Sequence, residues 1–169
     1  MLSDIQQTFK QNREHFNEDF RLRIHRSLSW LQRAEQAKQE QDFDSQFIFL
    51  WIGFNAVYAK DLGADLRSAD KGAFVQFIYR ICYLDKEQKI YYSVWNTFSG
   101  SIRILLNNQF TFQPFWDYHN GLITEQIWVE SFERNKKKAL SALSQKDTPE
   151  IIIAVFNHLY TLRNQIIHG

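Results

Sequence analysis

Residues 148–169 read Thr-Pro-Glu-Ile-Ile-Ile-Ala-Val-Phe-Asn-His-Leu-Tyr-Thr-Leu-Arg-Asn-Gln-Ile-Ile-His-Gly. The opening Thr148-Pro149-Glu150 has the chemistry of a helix start. Threonine suits the N-cap, proline the first helical position, and glutamate the positive end of the helix dipole. At 100° per residue, Ile151, Val155, Leu159, Leu162 and Ile166 fall within roughly 80° of arc, a core-facing stripe. Ile153, Phe156, Tyr160 and Ile167 form a second apolar group on another side. Asn157, Asn164 and His168 lie at its margin, and Arg163 sits between the two stripes. A helix with two apolar faces is covered on both, by the chain's own elements or by a second copy of the chain.

The rest of the chain reads the same way. Gly (6) and Pro (2) are scarce among the 169 residues, against roughly 12% in average proteins. Such a chain lacks the turn formers of a β-sandwich or barrel. Phe16, Phe20, Ile24, Leu28 and Leu31 recur at helical spacing, predicting one long helix or two joined ones up to about Glu40. The run from Ser45 to Lys60 is apolar all round, which predicts a buried central helix. Gly63 and Asp65 mark a loop. A third helix is expected over about 71–84. Asp85 can cap a fourth, reaching about Asn107 with a break near Ser99-Gly100. Residues 107–121 read as an aromatic-anchored loop. A further helix spans 124–144, with Ile127, Trp128, Phe132, Leu140 and Leu143 inward. The expectation is an all-α chain, an up-and-down bundle of about five to seven helices. It is read as one domain over 1–169, with 1–44 a helical extension and 45–169 the core. With 5 Trp, 7 Tyr and 15 Phe, an aromatic-rich core is expected.

Charge and cysteine content exclude several functions. Lys plus Arg (20) nearly balances Asp plus Glu (19), so nucleic acid is not held by bulk positive charge. Cys82 is the only cysteine, which excludes intrachain disulfides and cysteine-based zinc fingers. No His-Glu-x-x-His or phosphate-binding glycine loop occurs, and no cofactor or metal is implied. No signal peptide or stretch of about 20 apolar residues is present, so a cytoplasmic protein without a membrane span is expected.

The closing Leu162-Arg163-Asn164-Gln165-Ile166-Ile167-His168-Gly169 resembles the R-N-x-x-x-H form of the HEPN superfamily signature. The segment Leu50-Trp51-Ile52-Gly53-Phe54-Asn55-Ala56-Val57-Tyr58-Ala59 is similar to the buried helix of many such proteins. The resemblance spans about Ser45 to Gly169. It implies a helical bundle that dimerises with the two motif helices facing each other. Many members are metal-independent ribonucleases of defence, toxin–antitoxin and RNA-processing systems. Others are non-catalytic binding or dimerisation modules. One subset of toxins carries a tyrosine two residues after the histidine, a position this sequence does not have. Relatives often continue past this His-Gly, which fits an excised domain.

The implied catalytic residues are Arg163, Asn164 and His168. Imidazole exchanges protons near neutral pH, suiting His168 to take the 2′-OH proton of RNA. A guanidinium offers a planar fork of donors, suiting Arg163 to a phosphorane. Asn164, one turn before His168, can orient the imidazole or bind phosphate. Arg163 lies about 140° round the helix from His168, so its long side chain reaches around or a second copy supplies the second cation. Asn157, Tyr160, Asn55, Lys136 and Lys137 are the further substrate-binding candidates. Four of these also have a structural reading: Asn55 as a core amide, Tyr160 as a packing ring, the two lysines as a solvated face. The implied partners are a second copy, an RNA substrate and a nucleotidyltransferase-type antitoxin.

Overall fold

A computed structural model describes residues 2–58 and 67–168; Gly63, Asp65 and Gly169 lie outside the described residues. The described chain is all-helical, without strands. Nine α-helices occur among the described residues, more than the five to seven expected. The chain forms two compact units, residues 1–74 and 75–169. Among the described residues, no helix is long and apolar enough to cross a membrane.

The first unit contains α1 (Leu2–Asn12), α2 (Glu18–Gln39), α3 (Phe43–Tyr58) and the first turns of α4 (Arg67–Leu84). The expected long N-terminal helix is two helices, joined through a 3-10 turn at Arg13–His15. Asn17 restarts the helix by accepting the Phe20 N–H at 2.9 Å, and Phe16 packs on Phe20 with centroids 4.8 Å apart. Gln41, at φ 60, turns the chain from α2 into α3. Asp42 then caps α3 by accepting the Ser45 N–H at 3.0 Å.

Helices α2 and α3 pack antiparallel. Arg23 Nη1 donates to the Val57 carbonyl at 3.2 Å, and Trp30 meets Phe49 with centroids 5.5 Å apart. Small residues set the closest approach. A Cβ on Gly53 would lie 3.4 Å from the Ser27 carbonyl and from the Trp30 Cβ. The expected complete burial of α3 is not observed. Gly53 and Ala56 are buried, Leu50 is 42% exposed, and most other residues of the helix are half-buried. One face meets α2; an all-round apolar helix needs cover on every side.

The second unit holds the rest of α4, then α5 (Lys89–Tyr92), α6 (Ser99–Leu106), α7 (Gln113–His119), α8 (Glu125–Gln145) and α9 (Thr148–His168). Asp85 caps as expected: its carboxylate accepts from Lys89 N, Ile90 N and Tyr91 N at 2.8, 2.8 and 3.2 Å. A π-helical turn at Ser93–Thr97 follows, and the helix restarts at Ser99, where the break was expected. The expected loop at 107–121 instead contains a 3-10 turn at Gln109–Thr111 and α7. Pro114 lies in the first turn of α7, where the missing N–H costs nothing. Gly121, at φ 72, closes that helix.

The core of this unit joins Val94, Ile102, Leu106, Ala139, Ala142 and Ile151. Alanines rather than rings bring α8 close. Ile127 and Leu140, expected inward, are exposed; Ala139 and Ala142 take the buried positions. Among the described residues Phe115 is the one buried aromatic side chain of the Phe, Tyr and Trp type. Other rings pack around it, exposed Phe110 and half-buried Trp116 and Trp128, at centroid distances of 5.3 Å. The aromatic content thus forms a side cluster beside an aliphatic core. The start of α9 also differs in detail. Asp147 accepts the Glu150 N–H at 3.1 Å, while the Thr148 hydroxyl accepts from Trp95 Nε1 at 2.8 Å. Aspartate one residue earlier does the capping, and threonine is engaged by tryptophan.

Candidate functional site at the end of the last helix

Helix α9 carries the motif residues on its final turns. The buried stripe runs through Ile151, His158 and Thr161. It is rotated from the expected one: Ile166 lies at the surface, and Leu159 and Leu162 are half-buried. Polar partners explain the rotation. His158, 2% exposed, meets Thr111 Oγ1 through Nδ1 at 2.8 Å and Asn135 Nδ2 through Nε2 at 3.2 Å. Burial drives its pKa down to about 4, so the ring is neutral at pH 7. These three residues escaped the sequence reading, because no spacing links Thr111 and Asn135 to His158.

The stripe positions the opposite side of the helix toward solvent. Tyr160 is 48% exposed and Ile167 50%. Asn157 and His168 are exposed, and Arg163 and Asn164 are half-buried. The Arg163 guanidinium lies 4.9 Å from the centre of the Tyr160 ring. This pair sits one turn apart, and the aromatic face favours the cation. Gln165 Nε2 donates to the Phe110 carbonyl at 2.7 Å, and Trp116 Nε1 donates to the same oxygen at 2.8 Å. The last turns of α9 are thereby tied to the Gln109–Thr111 turn. His168 is in the last helical turn, where a cationic imidazolium would complement the dipole.

The other candidates divide between the units. Asn55 is half-buried in the first unit and accepts from the Tyr58 hydroxyl at 2.7 Å, a contact that satisfies its amide oxygen within α3. Lys136 and Lys137 lie on α8. Lys136 Nζ is 3.4 Å from Glu133 and 5.6 Å from the centre of the Phe132 ring. Lys137 is exposed. The structure thus joins Tyr160 to Arg163 directly. Asn157, Asn164 and His168 share a helix margin through their spacing of seven and four.

The arrangement presents a guanidinium, an amide and an imidazole at an accessible helix end, next to apolar surface from Tyr160, Ile166 and Ile167. Within one helix Arg163 and His168 point about 140° apart. Two such helices set face to face would offer paired cations and paired imidazoles. Comparisons with protein-family models, with curated proteins and with solved structures return no match.

Proposed function

We propose that the chain is a HEPN-like, cytoplasmic, metal-independent endoribonuclease of a defence or toxin–antitoxin type, with its site shared between two copies of α9. One observation carries the reading: Arg163, Asn164 and His168 occupy the final turns of a helix whose Tyr160–Ile167 side is exposed. Exposed apolar side chains beside a motif of polar residues suit a paired interface. In the reaction, one His168 takes the proton from a ribose 2′-OH, which attacks the adjacent phosphorus. The two Arg163 guanidiniums meet the charge on the phosphorane. The second copy's His168 protonates the departing 5′ oxygen. The P–O5′ bond breaks, leaving a 2′,3′-cyclic phosphate and a 5′-OH.

The test is cleavage of RNA by the purified chain in EDTA, beside His168→Ala. The reading expects cutting by the wild type, cyclic-phosphate ends, and loss of both in the variant. Intact RNA with the wild type, cutting that survives His168→Ala, or 3′-OH products would reject it.

A second reading, a non-catalytic RNA-, nucleotide- or protein-binding dimerisation module, is favoured by the Arg163–Tyr160 pair. A guanidinium held on a half-exposed ring suits binding without turnover. This reading expects RNA retention without cleavage, weakened by Arg163→Ala and unchanged by His168→Ala.

A further inference from the structure

A separate cleft lies wholly within the second unit, and neither Arg163 nor His168 lines it. Its volume is about 480 Å³ and it opens to solvent, within the size range of small-ligand sites. The end of α4, the turn before α5 and the turn before α9 enclose it. Tyr79, Tyr83 and Tyr91 contribute rings; Asp85 and Asp147 contribute carboxylates; Lys146 is the one cation in its lining. Both turns pass through a non-glycine residue in the left-handed region, Gln88 at φ 55 and Lys146 at φ 53. Each sharp turn delivers an aspartate to the cleft.

The lining of the cleft sets two carboxylates, Asp85 and Asp147, against one ammonium, Lys146. The Cys82 thiol in its wall is pushed up, first by burial and then by the charges of Asp85 and Asp147. The Tyr79 phenol is pushed up as well, first by its hydrogen bond to Glu150, with Asp147 contributing. The rings attract cations already: Lys86 Nζ lies 4.9 Å and the Arg80 guanidinium carbon 5.9 Å from the Tyr83 ring centre. Capping accounts for one part of each aspartate's role, but asparagine caps as well as aspartate without projecting charge. Among the described residues, Asp147 accepts its capping bond through Oδ1 and no group donates to Oδ2.

We propose that this cleft binds a guanidinium group, its plane against the tyrosine rings and its N–H fork on the Asp147 carboxylate, with the capped Asp85 carboxylate adding negative charge. Planar cations pair with carboxylates through two parallel hydrogen bonds and stack on aromatic faces. The open side admits either a small free molecule or an arginine side chain presented by a peptide.

Calorimetric titration of the intact chain tests it, using argininamide, a capped Ala-Ala-Arg-Ala-Ala peptide, and citrullinamide as the uncharged control. Argininamide binds and citrullinamide does not. Peptide binding at equal or higher affinity identifies an arginine side chain as the ligand; binding of argininamide alone identifies a small molecule. Asp147→Asn keeps the cap and weakens binding about tenfold, the loss expected for a charged hydrogen bond. Lys146→Asn suits the left-handed backbone and strengthens binding about threefold by removing the opposing charge. His168→Ala binds as the wild type does. Absence of argininamide binding, equal binding of citrullinamide, or unchanged affinity in both cleft variants overturns the proposal. Thermal melts of the variants verify that each is folded.

Discussion

His158 Nδ1 and Thr111 Oγ1 lie 2.8 Å apart in the interior, bridging 47 positions of sequence. The hydrogen-bond network assigns the proton. The Thr111 hydroxyl is 3.0 Å from the Asn108 carbonyl and 3.4 Å from the Leu105 carbonyl, so its hydrogen goes to a main-chain oxygen. Its oxygen then accepts from His158 Nδ1–H. Nε2, without a proton, accepts from the Asn135 amide at 3.2 Å. With the Asn135 amide in this orientation, both ring nitrogens are satisfied in the neutral ring.

That neutrality makes the fold acid-sensitive. The native ring titrates near 4 because burial opposes its charge, while an unfolded histidine titrates near ~6.5. Below ~6.5 the unfolded state binds the proton and the native state does not, so stability falls as pH drops. This contribution is complete above ~6.5 and declines by about 3 kcal/mol on reaching pH ~4. Urea unfolding at pH 7, 5.5 and 4.5 checks it against His158→Gln. The variant is less stable at pH 7 and lacks this part of the decline. Parallel losses in the two proteins would contradict the assignment.

Helical class was legible from the scarcity of Gly and Pro, and so was the cap at Asp85, because carboxylates seek helix N-termini. Residues 107–121 misled because proline marks both loops and helix starts; at Pro114 it is in the first turn of α7. Burial was less legible than helicity. Periodicity finds apolar stripes, whereas the stripe of α9 contains His158, whose ring nitrogens depend on partners in other elements, and Thr161, whose hydroxyl donates back to the Asn157 carbonyl within the helix. At the candidate site the placement of Arg163, Asn164 and His168 on one helix followed from spacing. The Arg163–Tyr160 stacking did not, since spacing puts two side chains within reach without choosing their rotamers.

Asp85 supports three N–H groups at the start of α5 from three residues before its N-cap, Gln88. Asp85→Ala leaves these donors to water and costs about 1–2 kcal/mol, in the range of strong caps. Asp85→Asn retains most of that. A thermal melt of both variants checks the order; equal melting temperatures for Ala and wild type would remove the capping role.

Gly53 separates two kinds of substitution. A methyl group there meets neighbours at 3.4 Å, an ordinary contact, and alanine favours helix by about 1 kcal/mol over glycine. Gly53→Ala therefore holds or raises stability. Gly53→Leu drives extra volume against Ser27 and Trp30 and costs about 1–3 kcal/mol. Denaturant midpoints of the pair give the test, and equal effects of Ala and Leu would show that α2 and α3 do not pack this closely.

Trp95 and Thr148 set the remaining expectation. The indole N–H reaches the Thr148 hydroxyl at 2.8 Å, and Thr148 is buried. Thr148→Val keeps the shape and removes the acceptor, leaving a donor facing a methyl group. An unsatisfied donor costs about 1–3 kcal/mol when buried, and the half-buried indole places the loss at about 1 kcal/mol or more. Thr148→Ser keeps the oxygen and loses a methyl, a smaller cost of about 1 kcal/mol. A role confined to shape would reverse that order, because valine preserves the volume that serine gives up. Urea midpoints of the two variants decide between the hydrogen bond and the packing, with capping by Asp147 unchanged in both.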